Sequence, residues 1–309
     1  MRTACRRRSR ARWGIRAVHP PRRPLLPPDW PNAAASRQIS CRPYLWHVQE
    51  MGQGPLLLLL HGAGAATHSW RSLMPLLARH YRVIAPDLPG HGFTRLRSRS
   101  RTGLNPMAED IARLCADQGW QPAALVGHSA GGAIALRLAQ TLPTPPQALV
   151  CINPALENFQ GVAGWLFPAL AKMLALAPIV PLLFSRMAGR EARVRELLTS
   201  TGSALDDDGL SQYLTLIRDP GHVDGALAMM AQWRLDELLA SLPGITQPTL
   251  FITGARDKAV PPDVARRAAS GMTAAEFTEM ERYGHLVHEE APAEVAALIE
   301  AFLARTLAR

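Results

Sequence analysis

Residues 127–131 read Gly127-His128-Ser129-Ala130-Gly131 and follow the apolar run Ala123-Ala124-Leu125-Val126. A serine with glycines two residues to either side predicts a sharp strand-to-helix turn that lifts its hydroxyl above a sheet edge. The glycines are needed because side chains in their places would collide in so tight a turn. A serine hydroxyl alone is a poor nucleophile. It requires a base within hydrogen-bond reach and an acid that fixes the base's tautomer. The five-residue pattern also arises by chance, so the rest of the chain must supply those partners.

It supplies them in order. The run Thr249–Thr253 leads into Gly254-Ala255-Arg256-Asp257, which puts Asp257 just past the carboxyl end of an expected strand. Ala275–Met280 is expected as the last strand, and Tyr283-Gly284-His285 follows it. Nucleophile, acid and base are then Ser129, Asp257 and His285. Acyl transfer further needs two N–H donors aimed at the developing oxyanion. Ala130, directly after the serine, offers one. The loop His61-Gly62-Ala63-Gly64 offers the other through Ala63.

Other residues compete for these roles. His288 is a second candidate base, but Glu289 and Glu290 beside it mark a solvated helix start. His128 lies inside the turn and is expected to pack, with its side chain away from Ser129. His61 and His91 sit in turns and are expected to orient loops. Asp87, in Pro86-Asp87-Leu88-Pro89, reads as a turn-stabilising carboxylate. Asn153 ends the strand after the elbow helix, where an amide cannot act as the acid. Asp206-Asp207-Asp208 resembles a metal cluster but lies in a polar loop after Gly202-Ser203. No carboxylates with credible ligand spacing lie near the elbow, and no metal or cofactor is expected. Arg95, Arg97, Arg99 and Arg101 form an exposed basic run or an anion site.

The elements that must position this chemistry alternate. Strands are expected at Leu45–Val48, Pro55–Leu60, Tyr81–Ala85, Ala123–Val126, Ala148–Ile152, Thr249–Thr253 and Ala275–Met280. Helices are expected at Ser69–His80, from a cap at Asn105 to about Gln118, and at Gly131–Gln140, Pro262–Ser270 and Ala293–Leu307. Buried strands alternating with amphipathic helices argue for an α/β fold, a mostly parallel sheet with helices on both faces. Residues 154–232 break the alternation with helical segments and no convincing strand. They are expected as a helical cap, with 29–153 and 233–309 as the core. Within them, residues 161–185 are apolar except for Lys172. Pro168, Pro178 and Pro181 argue against a membrane span and for cap helices, an apolar lid or a weak membrane-surface contact.

The whole chain of 309 residues is 48% hydrophobic and 19% charged, as a folded domain with a sizeable core requires. Its net charge of +9 comes from one end. Residues 1–28 hold nine arginines and no acidic residue, and the remainder is formally neutral. Nucleic-acid binding by the body is thereby disfavoured. The Arg/Pro-rich extension is expected to be disordered, and is either a misplaced start or an arm for an anionic partner. It lacks the apolar stretch of a secretory signal. The four cysteines show no paired spacing, which fits a reducing, cytoplasmic setting.

These features resemble the α/β-hydrolase superfamily, in which the triad follows the chain order seen here. The serine departs from the dehalogenases and epoxide hydrolases, which carry aspartate at the elbow. A narrower resemblance rests on Trp30-Pro31-Asn32, Trp46-His47-Val48-Gln49, Leu58 through Arg71 and Pro86 through Thr94. It extends to Gly202-Ser203, Arg218 through Val223 and Gly225 through Met230. These segments are similar to the magnesium-chelatase accessory α/β-hydrolases of bacteriochlorophyll biosynthesis. The resemblance covers residues 29–309. It implies a cytoplasmic role beside magnesium insertion into protoporphyrin and a functional association with magnesium-chelatase subunits. It names no reaction. The apolar lid is compatible with a hydrophobic small molecule, a tetrapyrrole or a similarly greasy ester. Two classes of function remain: a serine hydrolase acting on an ester or acyl bond, or a non-catalytic tetrapyrrole-binding or chelatase-assisting protein that retains the site.

Overall fold

In the strands Leu56–Leu60 (β3), Ala124–His128 (β5), Ala148–Ile152 (β6) and Thr249–Gly254 (β7) every residue is buried. Continuous apolar runs of this kind belong in a sheet covered on both faces. The computed structural model describes residues 26–157 and 180–307. Its sheet has eight strands in the order β1-β2-β4-β3-β5-β6-β7-β8. The remaining strands are β1 (Ser36–Cys41), β2 (Tyr44–Met51), β4 (Arg82–Pro86) and β8 (Ala275–Met280). From β4 to β8 all neighbours are parallel, while β1 and β2 pair antiparallel at one edge.

The helices are α1 (Leu73–Leu77), α2 (Leu104–Gln118), α3 (Ala130–Thr141), α4 (Val180–Ala188), α5 (Glu191–Ser200) and α6 (Asp207–Ile217). They continue with α7 (Pro220–Gln232), α8 (Asp236–Ser241), α9 (Pro262–Ser270), α10 (Val287–Glu290) and α11 (Pro292–Thr306). The strand pleat sends alternate side chains to opposite cores. Leu58, Leu60, Leu125, Cys151 and Phe251 pack with α2 and α3. Leu57, Leu59, Val126, Val150 and Ile252 pack with α1 and α11. Each large aliphatic side chain so buried contributes about 1.5–3 kcal/mol.

Most expected elements lie where the pattern puts them, with three differences. The helix expected over Ser69–His80 is a short 3-10 turn at Thr67–Trp70 followed by α1 alone. The helix expected to be capped by Asn105 begins two residues earlier, with Gly103 at the cap, and Asn105 Nδ2 instead donates to Glu237 at 2.9 Å. Edge strand β1 had no apolar run to announce it. Its half-exposed side chains reflect a strand with one neighbour.

Among its described residues the segment joining β6 to β7 consists of helices linked by turns and carries no strand. It is called the insert below. Most of the apolar stretch 161–185 lies outside the described residues, as does the arginine-rich chain before residue 26. Leu26 packs against the cluster of Trp30, Ala66 and Leu216. On α4, Leu182, Leu183, Phe184 and Met187 are exposed. Among the described residues no helix is long and apolar enough to cross a membrane. Cys41, Cys115 and Cys151 are buried free thiols.

Candidate active site

Parallel strands bring their carboxyl ends to one edge of the sheet, and the loops after β3, β5, β7 and β8 meet there. These four loops carry Ala63, Ser129, Asp257 and His285.

The chain turns from β5 into α3 within Ser129, whose backbone stands at φ 52° and ψ −119°. A non-glycine residue keeps such a conformation only where its surroundings enforce it. The Ser129 amide donates to the Ile152 carbonyl at 2.9 Å, and the Ser129 carbonyl accepts from Gly132 and Ala155, each at 3.0 Å. A Cβ on Gly127 would stand 2.2 Å from the Gly131 carbonyl oxygen. One on Gly131 would stand 2.0 Å from the Leu60 carbonyl oxygen. Both glycines are therefore fixed by space. Gly62 approaches the serine as closely: a Cβ there would lie 3.0 Å from the Ser129 Cβ. The loop bearing Ala63 thus lies against the nucleophile candidate. Ala130 opens α3, and the first N–H groups of a helix have no partner within it.

His285 Nδ1 donates to Asp257 Oδ2 at 2.7 Å. That bond fixes the tautomer and leaves Nε2 as the basic nitrogen. Asn153 Nδ2 donates to the same carboxylate oxygen at 2.6 Å. The amides of Ala259 and Val260 donate to Oδ1, each at 2.8 Å. The acid is thus buried and fully engaged. Asn153, unsuited to be the acid, holds the acid. Among the described residues no hydrogen bond joins the Ser129 hydroxyl to His285. Such contacts commonly tighten when substrate enters.

His128 packs against the His285 ring at 4.8 Å, and its Nε2 donates to the His285 carbonyl at 2.9 Å. Burial holds its imidazole well below the usual histidine range. His288 is fully buried between the rings of Trp70 and His128 at 4.8 and 4.3 Å. Burial depresses its basicity strongly as well, which suits a packing residue better than a base.

The expectation of a solvated start at Glu289 and Glu290 is corrected. The Glu289 carboxylate is buried and accepts from Arg71 and from the Tyr213 hydroxyl, the latter at 2.7 Å. Burial pushes this carboxyl up to about 7 against the pull of Arg71. Glu290 accepts from the amides of Gly284 and Ala204 at 2.9 and 3.0 Å. The adjacent glutamates give no sign of this because their partners, Arg71 and residues of the insert, are distant in sequence.

Asp87 is the turn-stabilising group expected. It accepts from His47 Nδ1 and the Thr67 amide at 2.7 Å and from the Phe93 amide at 2.8 Å. Burial alone would raise its carboxyl, yet His47 and the amide donors hold it below the usual range. His61 accepts from the Leu88 amide at 2.9 Å and donates to the Gly62 carbonyl at 2.8 Å, which ties two loops together. His222 of α7 does the same across the insert. It accepts from the Gly92 amide at 3.0 Å and donates to the Gly64 carbonyl at 3.1 Å.

The basic run is largely paired. Arg95 and Arg99 bond to Asp219 and Asp224 of the insert, and Arg101 to Asp110 at 2.8 Å. Asp206 caps α6 through the Gly209 amide at 2.7 Å. No group of three or more His, Cys, Asp or Glu among the described residues could hold a metal ion.

The family profile described as the alpha/beta hydrolase fold matches residues 55–292. The chain belongs to the α/β-hydrolase family. The chain is 46% identical over 276 residues to the "Magnesium-chelatase 30 kDa subunit" of Rhodobacter capsulatus, covering 89% of this chain and 96% of that one. It is 26% identical over 282 residues to the "2-hydroxy-6-oxo-2,4-heptadienoate hydrolase" of Pseudomonas putida, covering 88% and 98%. Among solved structures, a thermophilic esterase from Thermogutta terrifontis superposes with a TM-score of 0.70 at 23% identity, covering 88% and 98%. An epoxide hydrolase from Vigna radiata superposes at 0.73 and 23%, covering 87% and 98%. Those two likenesses establish the shared fold.

Proposed function

We propose that this α/β-hydrolase is a serine hydrolase that cleaves an ester or related acyl bond of a hydrophobic small molecule, in the cytoplasm and in functional association with magnesium chelatase. The observation that carries this reading is the 2.7 Å bond from His285 to Asp257 at the sheet edge where Ser129 stands in its strained turn. In this mechanism Ser129 Oγ attacks the acyl carbon while His285 Nε2 takes the hydroxyl proton. The Ala63 and Ala130 amides stabilise the oxyanion. Collapse of the tetrahedral intermediate breaks the bond to the leaving alcohol, which receives the proton from His285. Water, deprotonated by the same imidazole, then releases the acid and restores the serine. Asp257 stabilises the imidazolium throughout. The chemistry calls for no cofactor and no metal.

The described residues of the segment 154–232 act as a helical cap over this edge. The 46% identity to a protein named as a magnesium-chelatase subunit supports the association, and with it a tetrapyrrole as the candidate substrate. The exposed apolar face of α4 beside Arg186 supports a weak membrane-surface contact. The reading is tested by turnover of p-nitrophenyl esters of increasing acyl length. Wild-type turnover that disappears in Ser129→Ala supports it, and equal rates for the two proteins would overturn it.

A second reading has its own support, because the chelatase-subunit likeness exceeds the 26% identity to a named hydrolase. Here the protein binds a tetrapyrrole or assists the chelatase without chemistry. Ser129→Ala would then restore pigment synthesis in a deletion strain as well as wild type does. Failure to restore it, with normal folding, favours the enzyme.

A further inference from the structure

The loops that carry Asp257 and His285 meet a single turn of the insert, Thr201-Gly202-Ser203-Ala204, between α5 and α6. The residue directly after the acid and the residue directly after the base are both held by it. Lys258 donates its amide to the Thr201 carbonyl at 3.0 Å. Leu286 donates its amide to the Ser203 hydroxyl at 2.8 Å. Ser203 is buried, with 2% of its surface exposed, so neither partner has water as an easy substitute.

The fit leaves no slack. Gly202 stands at φ +87°, and a Cβ there would lie 1.9 Å from the Arg256 carbonyl oxygen. Gly284, directly before the base, would place a Cβ 2.3 Å from the Gly202 carbonyl. The two loops also meet each other, since Arg256 donates its amide to the Tyr283 carbonyl at 2.9 Å. Glu290 closes the arrangement: its two carboxylate oxygens take the amides of Gly284 and Ala204. His285 is therefore flanked by held residues on both sides, and its own carbonyl is held by His128.

We infer that the Thr201–Ala204 turn is a clasp that sets the Asp257–His285 geometry from the insert, with Ser203 and Glu290 as positioning residues. The inference concerns the same site as the serine-hydrolase reading and rests on it for its effect on rate. Its effect on the acid–base pair does not depend on turnover. Any ligand that shifts the insert then acts on the acid–base pair through one hydrogen bond to each loop.

The experiment compares wild type, Ser203→Ala, Ser203→Thr and Glu290→Gln, with Arg193→Ala on the exposed face of α5 as control. The first readout is the far-downfield proton resonance of the His285–Asp257 hydrogen bond, assigned by its loss in His285→Gln. The second is the rate of Ser129 labelling by a fluorophosphonate against pH. In Ser203→Ala the resonance moves or broadens, and the labelling rate falls about tenfold, the order of one hydrogen bond expressed in the transition state. Ser203→Thr keeps the hydroxyl and restores both readouts, and Arg193→Ala leaves both unchanged. Should Ser203→Ala not fold, Glu290→Gln gives the same readouts. An unchanged resonance and unchanged pH profile in folded Ser203→Ala or Glu290→Gln would overturn the clasp. Wild type that shows the resonance but no labelling would count against the hydrolase reading, while the resonance still decides the clasp.

Discussion

His128 Nε2 donates to the carbonyl oxygen of His285 across 2.9 Å, so the residue before the candidate nucleophile holds the backbone of the candidate base. The two loops are 157 residues apart in sequence. Their registry thus does not depend on the serine's own hydrogen bond. Removing this tie should cost both stability and chemistry. His128→Ala deletes a buried ring and leaves the His285 carbonyl unpaired, a loss of about 3 kcal/mol. His128→Gln keeps an N–H donor and recovers part of it. Urea denaturation of the two variants measures the difference, and equal midpoints would show that the hydrogen bond contributes nothing.

Asn153 and His285 donate to the same oxygen of Asp257. Asn153→Asp would set a second carboxylate at that point with little change of shape, and aspartate tolerates the left-handed backbone found at φ 42°. At the 2.6 Å of the present contact two buried carboxylates cannot both ionise, so the introduced carboxyl keeps its proton and donates it to Asp257 in place of the amide. Activity should persist near neutral pH and fall as pH rises and the shared proton is lost, a limb that wild type lacks. The profile of ester turnover or of probe labelling measures it.

Acid stability follows from the histidines. His222 accepts a hydrogen bond from the Gly92 amide, which only the neutral ring can do. Burial lowers it from 6.5 to about 4. Between those values the unfolded chain binds a proton that the folded protein refuses. This group's contribution is complete above pH 6.5 and is lost as pH falls toward 4, up to about 3 kcal/mol. Burial shifts His61, His68, His91, His128 and His288 in the same direction. Wild type should therefore lose stability steeply on acidification. His222→Gln, whose amide can accept from Gly92 and donate to Gly64 at any pH, should show a shallower loss. Urea midpoints across that interval read both slopes.

The sheet and the candidate triad were legible because each depends on local pattern. Continuous apolar runs marked β3, β5 and β6, and glycines that space makes obligatory marked the elbow. Ser129 and Asp257 lie just past buried strands β5 and β7, and His285 lies a few residues past the mixed edge strand β8. What sequence did not disclose lies in contacts between distant segments. Glu289 looked like a surface residue because its partners, Arg71 and Tyr213, stand on other elements. Ser203 carried a motif signal with no stated role, since its partner is a backbone amide after His285. Edge strand β1, polar on its exposed face, offered no run to read.

The central claim is that Ser129 is an activated nucleophile served by His285 and Asp257. Incubation of the folded protein with a fluorophosphonate, followed by peptide mass spectrometry, tests it most directly. A single adduct is expected on Ser129, absent in Ser129→Ala and at least a hundredfold slower to form in His285→Ala, about the contribution of a general base. Wild-type protein that remains unlabelled, or that is labelled equally fast without His285, would contradict it.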